Sequence, residues 1–413
     1  MRPKCGSAKQ FISAACVLHA AFAFAAADEA LSLSQALAAG RPTLEFRPRY
    51  NRIDETDKPE RTEATTYRAV AGWRTAPWNG LRLVAEIIHT DHIGSKQFND
   101  DGSQIASSAY PLLPDPRYTG ANQLYAEWAA NDVARVTAGR QRVRLNNQRF
   151  VSDNDFRQIP QLFDGATLAW RGIANAEIQA AYFSRVRTTS GDQNKLRLTL
   201  ANAAWNPAPG HALAAYGVFH DQAQNGSFTG FADNSYRVLG ARAEGAFPAF
   251  DAIDIPYVVE YAHQDAYARG NANIDVRYWR AGIGAVSARW TLRYDEESKG
   301  SNAGLYGLQT PLTDFYAFNG WTLHFFNTPR QGLRDRWLTA RAQLATLSFF
   351  GEYHRFRSDF GGLDFGRETD AGVTWPALEG LVVRLQHARY RPAASSPATP
   401  SVTKTWLTLT YTY

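Results

Sequence analysis

The densest run of side chains able to do chemistry is GRQRVRLNNQRFVSDNDFRQIPQLFDG, Gly139 to Gly165. Arg140, Arg142 and Arg144 share one parity, Arg149 and Arg157 follow, and Asp153 and Asp155 lie between them. Alternate residues of an extended chain stand on one face. Each guanidinium there offers a planar fork of donors that fits a carboxylate or phosphate bidentately. Arg47 and Arg49, Arg185 and Arg187, Arg197, and Arg289 and Arg293 extend the set, again on the polar side of alternating segments. Of the 44 basic residues only seven are lysine. The chemistry implied is contact with anions, with Asp153 and Asp155 orienting the forks. The competing reading is mechanical: arginines tied across an interior to Glu45, Glu86, Glu127, Glu177 and Glu260.

Other chemistries find little support. The nine histidines, among them His89, His220, His263, His324, His354 and His387, show no spacing that pairs them with a serine or with one another. No catalytic residue and no enzyme activity is expected. Both cysteines, Cys5 and Cys16, lie in the leader described below, so no disulfide or thiolate metal site is available to the rest. The acidic stretch FNDDGSQ could hold calcium through Asp100 and Asp101, but it lacks a complete ligand pattern and reads better as a solvated loop. No glycine-rich phosphate loop and no nucleic-acid module is present, and no cofactor or metal site is expected.

The elements that must position these arginines are strands. From Thr43 the hydrophobic period is two. Leu44, Phe46 and Tyr50 oppose Glu45, Arg47, Arg49 and Asn51; Leu81, Leu83, Ala85 and Ile87 oppose Arg82 and Glu86. Ile178, Ala180 and Tyr182 oppose Glu177, Gln179, Arg185 and Arg187, and Leu196, Leu198 and Leu200 oppose Lys195, Arg197 and Thr199. Residues 286–295 set Val286, Ala288, Trp290, Leu292 and Tyr294 against Ser287, Arg289, Thr291, Arg293 and Asp295. Spacers alternate between tight (77–80, 131–132, 172–175, 207–210, 285–286, 345–346, 376–380) and long (54–63, 91–120, 143–162, 188–192, 222–234, 266–274, 297–334, 358–365, 392–400). Short turns at one end and long loops at the other are the signature of a transmembrane antiparallel β-barrel. Candidate segments number about nineteen, and the even strand counts of such barrels demote 319–328 to a loop and leave about 18. The polar face is then the lumen, and its guanidinium groups attract anions.

The ends agree. Arg2, Lys4 and Lys9, an apolar stretch from Phe11 to Phe24, and Ala25-Ala26-Ala27 read as a signal peptide, residues 1–27. Residues 28–42 read as a short periplasmic segment with one or two helical turns around Leu31, Leu33, Leu37 and Ala38, and 43–413 as the barrel. In the closing stretch, Ser401 to Tyr413, Leu407, Leu409, Tyr411 and Tyr413 oppose Lys404, Trp406, Thr408, Thr410 and Thr412. A terminal strand of this kind resembles those of bacterial outer-membrane barrels, which implies outer-membrane lipid and, through the strand ending at Tyr413, the barrel-assembly machinery as partners. Trp78, Trp170 and Trp375 at the tight turns suit an interfacial girdle.

In this order, SLSQALAAGRPTLEFRPRY, YPLLPDPRYTG, the Gly139–Gly165 block, GLQTPLTDFYAFNGW with NTPRQGL, and YHRFRSDF resemble the alginate-export family of outer-membrane porins. The resemblance implies an 18-stranded barrel in the outer membrane with an electropositive channel, in the best-known member a conduit for an anionic polyuronate. One departure is the near absence of lysine, which the family uses freely beside arginine. Two classes of function follow. One is an anion pore, passing an acidic polysaccharide or small anions and aromatic acids, with loops 143–162 and 297–334 folded in and Trp321, Phe325 and Phe326 packing them to the wall. The other is a plugged barrel acting as a surface receptor.

Overall fold

The computed structural model describes residues 30, 32–100, 105, 107–222, 234–250, 252–395 and 399–413. The expected signal peptide and Asp101 fall outside these. Barrel strands follow chain order: β1 (Arg41–Glu55), β2 (Thr62–Arg74), β3 (Leu81–Gln97), β4 (Tyr118–Ala130), β5 (Ala134–Gln141) and β6 (Leu162–Trp170). Next come β7 (Ala176–Arg187), β8 (Gln193–Ala208), β9 (His211–Asp221), β10 (Tyr236–Phe250), β11 (Ile253–Ala266), β12 (Asp275–Val286) and β13 (Trp290–Lys299). A small hairpin, β14 (Ser301–Asn302) and β15 (Tyr306–Gly307), stands outside the barrel sheet. The wall ends with β16 (Leu333–Leu344), β17 (Leu347–Arg357), β18 (Asp364–Leu378), β19 (Leu381–Arg391) and β20 (Val402–Thr412).

Eighteen strands form one antiparallel sheet, and β1 pairs with both β2 and β20. That pairing closes the barrel and leaves no free edge. Closure runs to the last residue, where the Tyr413 amide donates to the Leu44 carbonyl at 3.0 Å. None of the described helices is long and apolar enough to cross a membrane.

The faces are inverted relative to a soluble protein. On β1, Leu44, Phe46 and Tyr50 are 45%, 44% and 38% exposed, whereas Arg47, Arg49 and Asn51 are buried. On β20, Leu407, Leu409 and Tyr411 face out while Lys404, Trp406 and Thr408 face in. An apolar band with its polar residues inside is what a lipid solvent demands of a barrel. Trp73, Trp128, Trp205, Trp290 and Trp375 are exposed on this face near the short-turn end, at the level of an interfacial girdle. Trp78 sits within a turn, bridged to Leu81.

The short helix α1 (Leu33–Ala38) is capped by Ser32, whose hydroxyl accepts from the Gln35 amide. It docks at the short-turn end, where Trp73 Nε1 donates to the Leu37 carbonyl and the Ala76 amide to the Ala36 carbonyl, both at 3.0 Å. An eighth short connection joins β10 to β11, which the spacing of turn residues does not reveal. The segment 286–295 is divided. Val286 ends β12, and Ser287, Ala288 and Arg289 form the turn, closed by the Ser287 amide donating to the Trp290 carbonyl at 2.9 Å. Beyond the turn the expected faces hold, with Trp290, Leu292 and Tyr294 outward and Arg293 and Asp295 inward.

Two long connections, 142–161 and 300–332, fold into the barrel and give it an apolar core. Val143, Leu145, Phe150 and Val151 of the first and Tyr306, Leu308 and Leu312 of the second pack on Phe183, Leu196, Leu198, Leu200, Tyr216, Val218 and Tyr278 of the wall. Fully burying such a side chain contributes roughly 1.5–3 kcal/mol. The face assignment on 195–201 is therefore reversed: Leu196, Leu198 and Leu200 face the lumen, and Lys195, Arg197 and Thr199 are exposed outside. The rule that polar residues face the lumen fails where protein, not water, fills it. The segment 319–328 is loop, as expected. Trp321 stacks on Phe350 at 5.1 Å, and Phe325 meets Phe356, Phe365 and Tyr390, so both pack the loop to the wall. Phe326 instead stacks on Phe315 within the loop, 4.2 Å between ring centroids.

Candidate functional site

The lumen holds a cavity of about 1550 Å³. Pro207, Gly210 and Gln343 line it toward the short turns, and Asp155, Phe156, Tyr316 and Trp321 of the inward loops line it deeper in. Loop 142–161 turns sharply at Asn146, Gln148 and Asn154, all at positive φ near 50–70°. Asparagine tolerates that region better than most side chains.

Its acidic tip is gripped from the wall. Arg68 Nη1 donates to Asp155 Oδ1 at 2.9 Å and Arg68 Nε to Glu45 at 2.7 Å. Arg47 Nη1 donates to the Asp155 carbonyl at 2.8 Å and Nε to Gln158 at 3.2 Å. Arg142 meets Asp153 at 3.1 Å and Asp155 at 2.9 Å, and Arg144 holds Asp153 bidentately at 2.9 and 2.8 Å. Burial alone would raise the Asp155 carboxyl, but Arg68, Arg142 and Arg47 together hold it well below the usual range. Arg149, 1% exposed, donates to Glu297 at 2.6 Å and to Asn319 at 2.9 Å, so the first loop, the wall and the second loop meet there. Arg157 is buried with its guanidinium 5.4 Å from the Tyr316 ring. Arg293 donates to Asp295 at 2.6 Å on the wall.

The arginines expected in the lumen thus divide. Arg47, Arg142, Arg144, Arg149 and Arg157 hold the loops; Asp153 and Asp155 are the counter-charges of Arg142 and Arg144, and Glu297 is that of Arg149. Arg49 and Arg289 line the cavity with no carboxylate at ion-pair distance among the described residues. Arg49 donates to Thr408 at 3.0 Å and lies 4.1 Å from the Phe156 ring.

Three others leave the lumen. Arg140 pairs in register with Leu124, which is 56% exposed, so it faces out and binds Asp164 at 2.7 Å. Its run with Arg142 and Arg144 breaks because the chain leaves the wall after Gln141. Arg185 lies opposite Asp164 beyond a register shift and is exposed outside, and Arg197 is outside with its partner Asp221. Arg187 fills the space above short β5, donating to the Ala121 carbonyl at 2.8 Å and the Pro160 carbonyl at 3.1 Å.

Sequence reasoning missed Arg68, Arg242, Arg280 and Arg341, which line the cavity together with Arg384, a residue that alternation on 381–386 does put on the polar face. Strand parity was the available signal for each. Arg242 binds Glu260 at 2.6 Å and Arg280 binds Asp295 at 2.9 Å. Arg341 lies 4.9 Å from the Phe350 ring and Arg384 donates to Thr374 at 3.3 Å; among the described residues neither has a carboxylate at ion-pair distance. The mechanical reading also has its share: Glu45, Glu127, Glu177 and Glu260 all hold arginine, while Glu86 accepts from Asn122 and Gln123.

A closed 18-stranded barrel with an apolar outer band and an arginine-lined interior defines an outer-membrane channel. Residues 51–318 match the alginate export family, and the chain belongs to that family. No curated protein matches it in sequence. Among solved structures it is similar to OccK1 (OpdK) of Pseudomonas aeruginosa, at 15% identity and a TM-score of 0.70 over 91% of this chain and 99% of that one. OccAB2 of Acinetobacter baumannii is similar at 14% identity and 0.69 over 92% and 99%, and OccK9 (OpdG) of Pseudomonas aeruginosa at 17% and 0.69 over 91% and 99%. The protein resides in the bacterial outer membrane; in such barrels the short turns are the periplasmic end and the long loops the extracellular end. Family and fold are those of channels rather than of enzymes.

Proposed function

We propose that the channel passes carboxylated solutes, with short acidic saccharides of the oligouronate type as the best-supported class. The observation that carries this reading is the set Arg49, Arg289, Arg341 and Arg384, which lines the cavity with no carboxylate at ion-pair distance among the described residues. A guanidinium already paired gives little to a passing anion; an unpaired one in a confined lumen attracts and binds it. Several such groups suit a solute with several carboxylates. Phe156 beside Arg49 and Phe350 beside Arg341 add flat apolar surfaces for a sugar ring.

A second reading, small aromatic carboxylates, is favoured by Arg341 over Phe350 with Trp321 stacked on the same ring. OpdK, a fold relative, was solved with vanillate. Planar bilayer recordings separate the two. Block of an anion current by oligouronate but not by an equal concentration of an aromatic monocarboxylate supports the saccharide. The reverse ranking supports the aromatic acid, and a folded barrel without current removes both.

A further inference from the structure

We propose that Glu352, His354 and Asp370 bind a divalent transition-metal ion of the zinc or manganese class, which fastens the inward loop 300–332 to the wall. Glu352 and His354 are two apart on β17 and share its inner face, and Asp370 on β18 lies opposite Glu352. One ligand atom from each lies within 4.8 Å of the others. His354 Nε2 is 3.4 Å from Glu352 Oε2 and 3.8 Å from Asp370 Oδ2. Ligands about 2.0–2.1 Å from a tetrahedral ion stand roughly 3.3–3.5 Å apart, close to this spacing.

The independent sign of a ligand is an unmet valence. His354 is 2% exposed and Asp370 1%, yet among the described residues Asp370 Oδ1 and His354 Nε2 have no hydrogen-bond partner, Nε2 having only the 3.4 Å ion-pair approach of Glu352. Leaving such groups buried and unpaired is costly. The supporting contacts are those of a metal centre. Asp335 Oδ2 lies 3.0 Å from His354 Nδ1, the contact that would keep a proton on Nδ1 and turn Nε2 toward a bound ion. Thr339 Oγ1 donates to Glu352 at 2.7 Å, and the Trp321 amide donates to Asp370 at 3.2 Å. Glu368, opposite His354, accepts from the Thr322 amide at 2.7 Å, so the loop's Trp321 and Thr322 sit on the cluster. Asp335, Glu352, Glu368 and Asp370 crowd one imidazole. A divalent ion would offset that charge; the imidazole favours zinc over calcium or magnesium, and the two carboxylates admit manganese beside it.

The test uses untagged, folded protein stripped with chelator and titrated with Zn²⁺, Mn²⁺ and Ca²⁺, read by calorimetry and by metal content after gel filtration. One zinc or manganese per chain is expected, with affinity at least tenfold weaker in His354→Gln and in Asp335→Asn, and Ca²⁺ weaker than either. Co²⁺ substitution gives visible absorption bands in the wild type and not in His354→Gln, a readout that a loss of packing alone would not produce. Variants are compared only where heat-modifiable migration shows a closed barrel. A folded wild type that takes up no stoichiometric metal, or binding unchanged in both variants, overturns the proposal.

A separate observation on the outer face carries a second inference. Arg336, Arg355, Arg367 and Arg391 lie directly opposite one another in register across β16 to β19, all exposed. Like charges so placed destabilise a sheet. Among the described residues only Arg336 has a carboxylate partner, Glu296 at 3.0 Å. The row stands just beyond the outward Leu338 and Tyr353, at headgroup level on the extracellular side. We infer that it holds a phosphorylated lipid headgroup of the outer leaflet. Vesicles containing bisphosphorylated lipid A should retain the wild type at least tenfold better than Arg355→Gln/Arg367→Gln. Dephosphorylated lipid should abolish the difference, and inorganic phosphate at equal concentration should not compete. Equal retention of both proteins, or displacement by free phosphate, overturns the inference.

Discussion

Glu297→Gln tests whether the inward loops are fixed by a few buried charges. Glu297 is 1% exposed and accepts from Arg149 at 2.6 Å, from Asn319 at 2.6 Å and from Tyr278 at 3.1 Å. Glutamine keeps the shape but turns an NH₂ toward these donors and leaves the buried Arg149 without a counter-charge. Breaking a buried pair from one side costs about 3–5 kcal/mol. Arg149 belongs to one loop and Asn319 to the other, so the cost falls on the seated state of both. At about 1.4 kcal/mol per decade, released loop should become roughly 10²- to 4 × 10³-fold more populated. Hydrogen exchange of the refolded barrel reads this directly: amides of 310–328 should lose protection by that factor, while those of β17–β19 keep theirs. Unchanged protection in a folded variant would mean that Glu297 does not fix the loops.

Gly320 is at φ +81°, and an added Cβ would sit 2.4 Å from the Glu368 carboxyl carbon. Gly320→Ala should therefore loosen the Trp321–Thr322 contact and raise exchange at the Thr322 amide. Trp406, 2% exposed, packs edge-on to Phe156 and Tyr316; Trp406→Ala should cost about 3–5 kcal/mol in urea unfolding of the refolded protein. Two loop groups give opposite pH slopes. Burial raises Asp314 to about 6, so its seated form binds a proton more tightly than its released form; this contribution to loop stability is full below the ordinary carboxyl range and lost as pH rises to about 6. Burial first, then Lys404, lowers His324 to about 4, so its contribution is present above pH 6.5 and lost as pH falls toward 4. Loop exchange measured from pH 4 to 7 should lose one slope in Asp314→Asn and the other in His324→Phe.

The barrel was legible because lipid and lumen impose a period of two on every strand, and the turn spacing marks which end is which. What stayed hidden depends on contacts made at long range. Leu196, Leu198 and Leu200 look lipid-facing until an inserted loop gives them an apolar neighbour inside. Arg140 and Arg142 share a parity in sequence, but one is on the wall and the other has left it. Ser184 marks the register shift that turns Arg185 outward. His354 and Asp370 are unremarkable apart, and only the β17–β18 register joins them. Unpaired cations were hidden too: Asp295 stands two residues from Arg293 on the same face, but nothing local tells that Arg341 has no carboxylate at ion-pair distance among the described residues.

The most direct test of the channel reading is the reversal potential of single channels in a salt gradient, for wild type and for Arg341→Gln/Arg384→Gln. An anion-selective current is expected, with a reversal potential that moves toward zero in the double variant and oligouronate block weakened in parallel. A cation-selective current, or selectivity and block unchanged by the two substitutions, would contradict the channel reading.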